Sequence, residues 1–532
     1  MTDEAEPRAA EAESGAAERK KLAGRAGIIG AGTLASRLLG LGRDMALAAI
    51  FGRAETDAFF VAFTIPNALR QILGEGAITS AVVPVLSGKL ATEGDDAAQT
   101  FFSKIRGASL LALTVVTVLG MVFARQLTAL FASGYEGAAF ERTVLLTRWV
   151  FPYIFFMGTA ALGMAALNAK RKFAVAAFAP GLLNVAFLIA AFALPAPLVA
   201  AGMDRSLAMA IGALVGGALQ VVAQWPALRR IGFLGRPRLD FSDPGVRDVM
   251  RRLGPMIFGI GVYYIDLVLS RRFLSELGEG AQSWFSWAMR LCDFPQGIFV
   301  MAISTAALPS LSALAAKGEI DEVRKTYAHG MRLSLFVALP CSVALAVMGR
   351  PIVALLFQRG HFDALSTDET ARALLWQGGA IWTVAVVRQL VPVFYAMGDT
   401  KTPVIVSVID LVAFIALALG LRGPMGHAGI SAAVAGSSFV QMALLWWFLR
   451  KKLKGAAGAE IGGSAARTLV ASAIAGATGW GLARVLGEHG TVLPGLVACT
   501  AFVVVFGVAA WALRSEELEE IGGGILRRLR RR

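Results

Sequence analysis

The feature that most constrains this chain is a succession of apolar runs about as long as a bilayer is thick, joined by connections too short to fold alone. A membrane-crossing helix needs ~20 predominantly apolar residues. Fourteen intervals meet that requirement: 26–51, 57–88, 104–131, 143–168, 174–197, 206–229, 249–272, 281–313, 328–350, 369–397, 402–421, 425–450, 464–486 and 492–513. Only 17% of the 532 residues are charged, and there are 58 glycines, a residue used more freely in membrane helices than in soluble ones. The expected fold is an all-α polytopic membrane protein with fourteen transmembrane helices.

The net charge of +14 would suit a nucleic-acid binder if it were gathered on one face. It is instead spread over short connections: Lys170-Arg171-Lys172, then Arg229, Arg230, Arg236 and Arg238, then Lys317, Arg324 and Lys325, then Arg450, Lys451, Lys452 and Lys454. All fall on one side of the expected membrane, the pattern of the positive-inside rule, so nucleic acid is not an expected partner. That side is assigned to the cytoplasm, and an even number of spans returns both termini there. Residues 1–25 lack an apolar core and are read as a disordered cytoplasmic leader rather than a cleaved signal. Residues 514–532 form a basic cytoplasmic tail, suited either to anionic lipid or simply to solvent. Cys292, Cys341 and Cys499 have no metal-ligand or disulfide spacing, the four histidines are scattered, and no metal site is expected.

The chain repeats itself. Val83-Pro84-Val85-Leu86-Ser87 closes the second span and Leu308-Pro309-Ser310-Leu311-Ser312 the eighth, about 225 residues later. Each follows an aromatic-containing run that reaches an arginine, Arg70 in one copy and Arg290 in the other. A weaker echo pairs Asn184-Val185-Ala186-Phe187 with Asp410-Leu411-Val412-Ala413-Phe414. Six spans per copy enter the membrane in the same sense. The expected architecture is thus two parallel six-helix repeats, 26–230 and 246–454, plus a C-terminal helix pair within 460–513. In transporters built this way the substrate site lies between the halves, which alternate in access.

Charge inside the apolar runs points to chemistry, because an ionised side chain at bilayer depth is costly and usually faces a water-filled interior or a ligand. The first two spans carry Arg37, Arg43, Asp44, Arg70 and Glu75, and the eighth carries Arg290 with Asp293 one turn on. Glycines 40, 42, 74 and 76 and Pro66 permit broken helices, which are tolerated where they line protein or water. Any one of these arginines could snorkel to an interface or pair with a carboxylate. Four of them, recurring near the place the repeat predicts, suit an anion, and the planar guanidinium fork suits a diphosphate. Asp266 and Asp410 are isolated carboxylates that could carry a proton or a coupling cation, or pair with Arg271, Arg272 or Arg388; Arg388 has the same two readings. Gly30-Ala31-Gly32-Thr33-Leu34-Ala35 resembles a dinucleotide fingerprint, but no strand or βαβ unit surrounds it. No catalytic triad, zincin motif or P-loop is present, so no enzyme and no cofactor are expected.

Several of these stretches resemble the MurJ (MviN) lipid II flippases of the multidrug/oligosaccharidyl-lipid/polysaccharide exporter superfamily. They are Ser36-Arg37, Gly42-Arg43-Asp44, Thr56-Asp57-Ala58-Phe59-Phe60-Val61-Ala62-Phe63, Pro66-Asn67 with Arg70, Glu75-Gly76-Ala77, Arg290 with Phe294-Pro295-Gln296-Gly297, Phe357-Gln358-Arg359-Gly360, and Tyr395 to Pro403. The resemblance spans about 26–510. It implies fourteen helices in two lobes around a cationic cavity. It also implies transfer of the undecaprenyl-diphosphate-linked peptidoglycan precursor from the cytoplasmic to the periplasmic leaflet of the bacterial inner membrane. By the resemblance, Arg37, Arg43, Arg70 and Arg290 match the cavity arginines, and Ser36, Asp57 and Glu75 match further substrate-binding positions. Membrane potential or a monovalent cation, sodium or proton, would drive the cycle. Lipid II, membrane lipids and peptidoglycan-synthesis enzymes are the implied partners. The alternatives are a flippase for another polyprenyl-diphosphate saccharide or a cation-coupled drug exporter of the same superfamily; the arginine surplus disfavours the latter.

Overall fold

The computed structural model describes residues 34–70, 78–170, 172–453, 457–487 and 489–520, with residue 32. Among them the regular structure is entirely helical. That outcome follows from the solvent: lipid cannot hydrogen-bond the backbone, and a helix satisfies its own. Eight helical segments are long and apolar enough to cross a membrane, and shorter apolar helices occur at Ala81–Thr92, Phe178–Ala193 and Ala307–Ala316.

The chain divides into two compact units. The first comprises residues up to 50 together with 61–128 and 138–260, the second 51–60, 129–137 and 261 onward. Helix α1 covers 34–50. It is followed by α2 (Arg53–Arg70), α3 (Ile78–Thr92), α4 (Gly94–Val122), α5 (Ala124–Phe131), α6 (Gly137–Val150), α7 (Tyr153–Ala169), α8 (Phe173–Ala193), α9 (Pro195–Ala200) and α10 (Leu207–Arg230). Then come α11 (Pro244–Ser275), α12 (Ala281–Pro295), a π-helical turn at Gln296–Val300, α13 (Met301–Ala316), α14 (Ile320–Val347), α15 (Gly349–Phe357), α16 (Ala364–Gly379) and α17 (Ile381–Ala396). The last are α18 (Lys401–Met425), α19 (His427–Lys452), α20 (Gly458–Val485) and α21 (Val492–Ala512).

The repeat expected from the Val83-Pro84 and Leu308-Pro309 echo is visible in the element order. Long α4 and short α5 are matched by long α14 and short α15, the α6–α7 pair by α16–α17, and α8 by α18, each starting roughly 225 to 230 residues later. Pro84 lies inside α3 and Pro309 inside α13. Each unit has its own core. In the first, Phe101, Phe102, Ile105, Leu162 and Phe233 are buried together; in the second, Tyr327, Met331, Leu390, Phe394 and Leu449 are. Outward faces remain apolar: Val115, Val118, Val122 on α4 and Val404, Val408, Val412 on α18 are all exposed, as lipid-facing positions must be.

Helices α20 and α21, outside the repeat, pack on the second unit. Phe336 of α14 shares a cluster with Ala471 and Ala510. Gly495 of α21 lets α15 approach so closely that a Cβ there would lie 2.5 Å from the Pro351 carbonyl oxygen.

Candidate functional site

In the first unit the predicted residues Ser36 and Arg43 are brought together by a third residue, Asn184 of α8. Arg43 donates through Nε and Nη2 to Asp44 Oδ1 at 2.9 and 2.7 Å, and through Nη1 to Asn184 Oδ1 at 3.0 Å. Asn184 Nδ2 in turn donates to the Ser36 carbonyl at 2.8 Å. The Arg43 guanidinium also lies 5.3 Å from the centroid of the Phe187 ring, a cation–π distance. Only 12% of the Arg43 side chain is exposed. Asp44 therefore answers part of the charge that the sequence leaves in surplus, and Asn184 fixes the plane of the fork. Arg37 sits half-buried on the same helix. Arg70 ends α2; its side chain, and the whole of Glu75, lie outside the described residues.

In the second unit Asp57, expected at the substrate, is committed to the start of α12. Its Oδ2 accepts from the Gly280 amide at 2.6 Å, and its Oδ1 from the Ser283 amide at 2.7 Å and the Ser283 hydroxyl at 2.5 Å. These are the N-cap and third-residue amides, which a helix cannot satisfy itself, and a carboxylate there also complements the helix dipole. Gly280 has φ +96°, and a Cβ on it would meet the Trp284 ring at 2.4 Å, so the turn requires glycine twice over. Thr56 Oγ1 lies 2.6 Å from Ser283 Oγ, and Phe60 packs edge-on against buried Trp287 with centroids 4.8 Å apart. The Thr56-to-Phe60 motif thus fastens α12, the helix that carries Arg290, half-buried, ten residues from its capped end.

Asp266 of α11 and Asp410 of α18 lie close enough for their charges to interact. Each has a buried Oδ1 with no hydrogen-bond partner. The Ser437 hydroxyl of α19, near Asp410, donates to the Val434 carbonyl at 3.2 Å. Arg271 donates to Gln282 Oε1 at 2.9 Å and Ser286 Oγ at 2.7 Å, and the backbone carbonyl of Arg388 on α17 accepts from Ser304 Oγ at 2.8 Å. No group of three or more His, Cys, Asp or Glu suited to a metal occurs among the described residues.

Asn184 and Asp410 start the same Val-Ala-Phe-like echo, on the matched helices α8 and α18.

Residues 47–497 match the family model for the lipid II flippase MurJ. A probable lipid II flippase MurJ of Vibrio cholerae is 34% identical over 429 residues, covering 79% of this chain and 81% of that protein. The lipid II flippase MurJ of Burkholderia cenocepacia is 35% identical over 428 residues, covering 79% and 82%. The chain belongs to the MurJ family. The MurJ fold is matched as well: a solved lipid II flippase MurJ in an inward closed conformation superposes with TM-score 0.73 at 22% identity, covering 91% of this chain and 99% of that one. An inward-facing multidrug MATE transporter shares the fold more distantly, with TM-score 0.63 at 15% identity over 79% of this chain and 94% of that one. The fold alone is common to both kinds of exporter, so membership in the MurJ family rests on the sequence match.

Asn184, Gly280, Ser283 and Trp287 were not among the residues expected to matter. Only Asn184 had left a signal, its echo in Asp410.

Proposed function

We infer that this chain is a lipid II flippase of the bacterial inner membrane, a multi-pass transporter rather than a catalyst. The observation that carries this is the MurJ match over residues 47–497, which extends through the arginine-bearing α2 and α12. Its substrate is lipid II, the undecaprenyl-diphosphate-linked precursor of peptidoglycan, so its role lies in cell-wall biogenesis. The finer reading is fourteen spans with both termini cytoplasmic, working by alternating access. It is supported by the placement of basic connections and by the repeated element order.

In this reading Arg37, Arg43, Arg70 and Arg290 bind the diphosphate and its sugar, with Ser36, Asp57 and Glu75 supporting them. Arginine is suited to the task because its fork offers two parallel charge-assisted hydrogen bonds to phosphate oxygens. Arg43 supports the assignment further, since Asp44 and Asn184 hold it rigidly and partly buried. Release on the far side requires that grip to weaken. A coupling cation, sodium or proton, at Asp266 and Asp410 would bias the step by binding one state better than the other.

The test is depletion of the native protein with complementation by Arg37→Ala. The expected outcome is a normal protein level with lipid II trapped in the inner leaflet; normal outer-leaflet lipid II would remove the central role given to this arginine.

A further inference from the structure

On the outside of the first unit, α4, α7 and α10 form a cleft of about 130 Å³ at the end of α10 that carries Arg229 and Arg230. Helix α7 supplies a floor of small residues, Thr159, Ala160 and Gly163; α4 supplies Ser109 and Leu110 on one wall; α10 supplies Val222 and Trp225 on the other. The engineered apolar cavity that takes up benzene is of similar size, ~150 Å³. The cleft faces the bilayer: Trp225 is 55% and Val222 52% exposed, continuing the exposed apolar row of Val215 and Leu219 along α10.

Two polar groups break the apolar lining. Arg106 stands at the mouth with Nη1 donating to the Gly235 carbonyl at 3.2 Å, and no carboxylate among the described residues neutralises it. The nearby acids are already taken: Lys104 Nζ lies 2.8 Å from Asp240 and 2.9 Å from Asp243. Behind the cleft surface Gln224 is 1% exposed, with neither its amide nitrogen nor its amide oxygen hydrogen-bonded. Gly163 keeps that amide in place, because a Cβ there would come within 2.4 Å of its Oε1. A buried amide with no partner is destabilising unless something else fills its hydrogen bonds.

The rim is built rather than loose. The Arg238 amide donates to the Ser103 carbonyl at 3.0 Å, and Gly107 of α4 admits the Arg238 backbone, whose carbonyl oxygen would lie 2.1 Å from any Cβ at that position. This closeness fixes the 235–238 segment, with exposed Arg236 and Arg238, over the mouth beside Arg106.

We propose that this cleft is a binding site for one anionic glycerophospholipid, separate from the arginines assigned to the transported substrate. An acyl chain lies along the small-residue floor of α7 between Leu110 and Trp225. The phosphate meets Arg106 and the neighbouring basic rim. An ester carbonyl at the depth of Gln224 can accept the hydrogen bond that the amide nitrogen lacks. The order of groups from mouth to floor, cation then amide then apolar surface, is the order of groups in a phosphoglyceride. A zwitterionic lipid of the same chains presents a choline that the arginine rim disfavours.

The experiment is native mass spectrometry of the full-length chain purified in detergent and titrated with dioleoylphosphatidylglycerol or dioleoylphosphatidylcholine. The wild type should retain one phosphatidylglycerol and hold phosphatidylcholine more weakly. Arg106→Gln should weaken phosphatidylglycerol about fivefold, the factor for loss of one basic contact with an anionic headgroup. Thr159→Phe should remove the bound lipid by filling the floor, and Ser109→Phe should do the same from the opposite wall if the first variant folds poorly. Glycerophosphoglycerol, the headgroup without chains, should not compete. Equal retention of the two lipids, or unchanged phosphatidylglycerol binding in Arg106→Gln and either cleft-filling variant, would overturn the proposal. Competition by the chainless headgroup would reduce it to a phosphate site and overturn the role given to the cleft.

Discussion

A guanidinium has five N–H donors, and at Arg43 three of them are spoken for, two by Asp44 and one by Asn184. One N–H on each terminal nitrogen remains, in an orientation fixed by neighbours on two helices. That is the arrangement a diphosphate oxygen needs, and lysine cannot reproduce it, because a point charge that satisfies Asp44 leaves Asn184 unfilled and presents no fork. Arg43→Lys should therefore lose most lipid II transport while the protein stays folded, read by outer-leaflet lipid II on depletion of the native copy; near-normal transport would show that charge alone suffices. The arginine was legible in the sequence because charge in an apolar run is conspicuous. Its partner was not, since a single asparagine in an apolar run gives little sign of which helix it will meet.

Helices show the same division between what pattern reveals and what packing decides. Apolar length pointed to a polytopic helical membrane protein, and eight helical segments among the described residues are long and apolar enough to cross, but breaks such as the Gln296–Val300 π turn between α12 and α13 depend on tertiary contacts. The Thr56-Asp57 motif was conspicuous, yet its role as a cap for α12 could be read only once Gly280 and Ser283 stood against it. The attachment of α20 and α21 was equally hidden, as they lie outside the repeat. Part of it is ionic: Arg332 of α14 donates to Glu517 at 2.7 Å and Glu460 at 2.9 Å and also pairs with Glu516, while Ser464 of α20 donates to Glu517 at 2.7 Å. Burial pushes the Glu517 carboxyl up, but the Ser464, backbone, Ser515 and Arg332 hydrogen bonds outweigh it and bring it down to about 2 from 4.5. A depressed folded-state value means the contribution is fully present above pH 4.5 and is lost as pH falls through about 2. Hydrogen exchange in residues 514–520 should accelerate over that window. Glu517→Gln should raise exchange already at neutral pH and flatten its acid dependence, whereas a wild-type profile in the variant would place the anchor elsewhere.

At the scale of the whole molecule, duplication supplies two copies of one helical framework, and their charged residues have diverged. Asn184, which holds Arg43 in the first unit, is echoed by Asp410 in the second, where Asp266 and Asp410 each keep an Oδ1 with no hydrogen-bond partner. In the proposed function these two acids carry the coupling ion, because carboxylates close enough to repel gain from a proton or a cation between them. Their oxygen-only ligand set, with the Ser437 hydroxyl at hand, suits a hard monovalent ion. The duplication was legible as the Pro84 and Pro309 echo, and the aspartates as isolated charges. Their pairing was not, because an offset of one or two residues in a helix decides whether two side chains meet. Sodium should raise the unfolding temperature of the purified full-length protein at constant ionic strength more than potassium does, and Asp410→Asn should raise the ion-free baseline while abolishing the sodium response. If sodium has no effect but lowering pH stabilises the wild type and not Asp410→Asn, the coupling ion is the proton. Should neither ion distinguish the variant from the wild type, the two aspartates are not a coupling site, and the drive for transport would have to act on the arginine side alone.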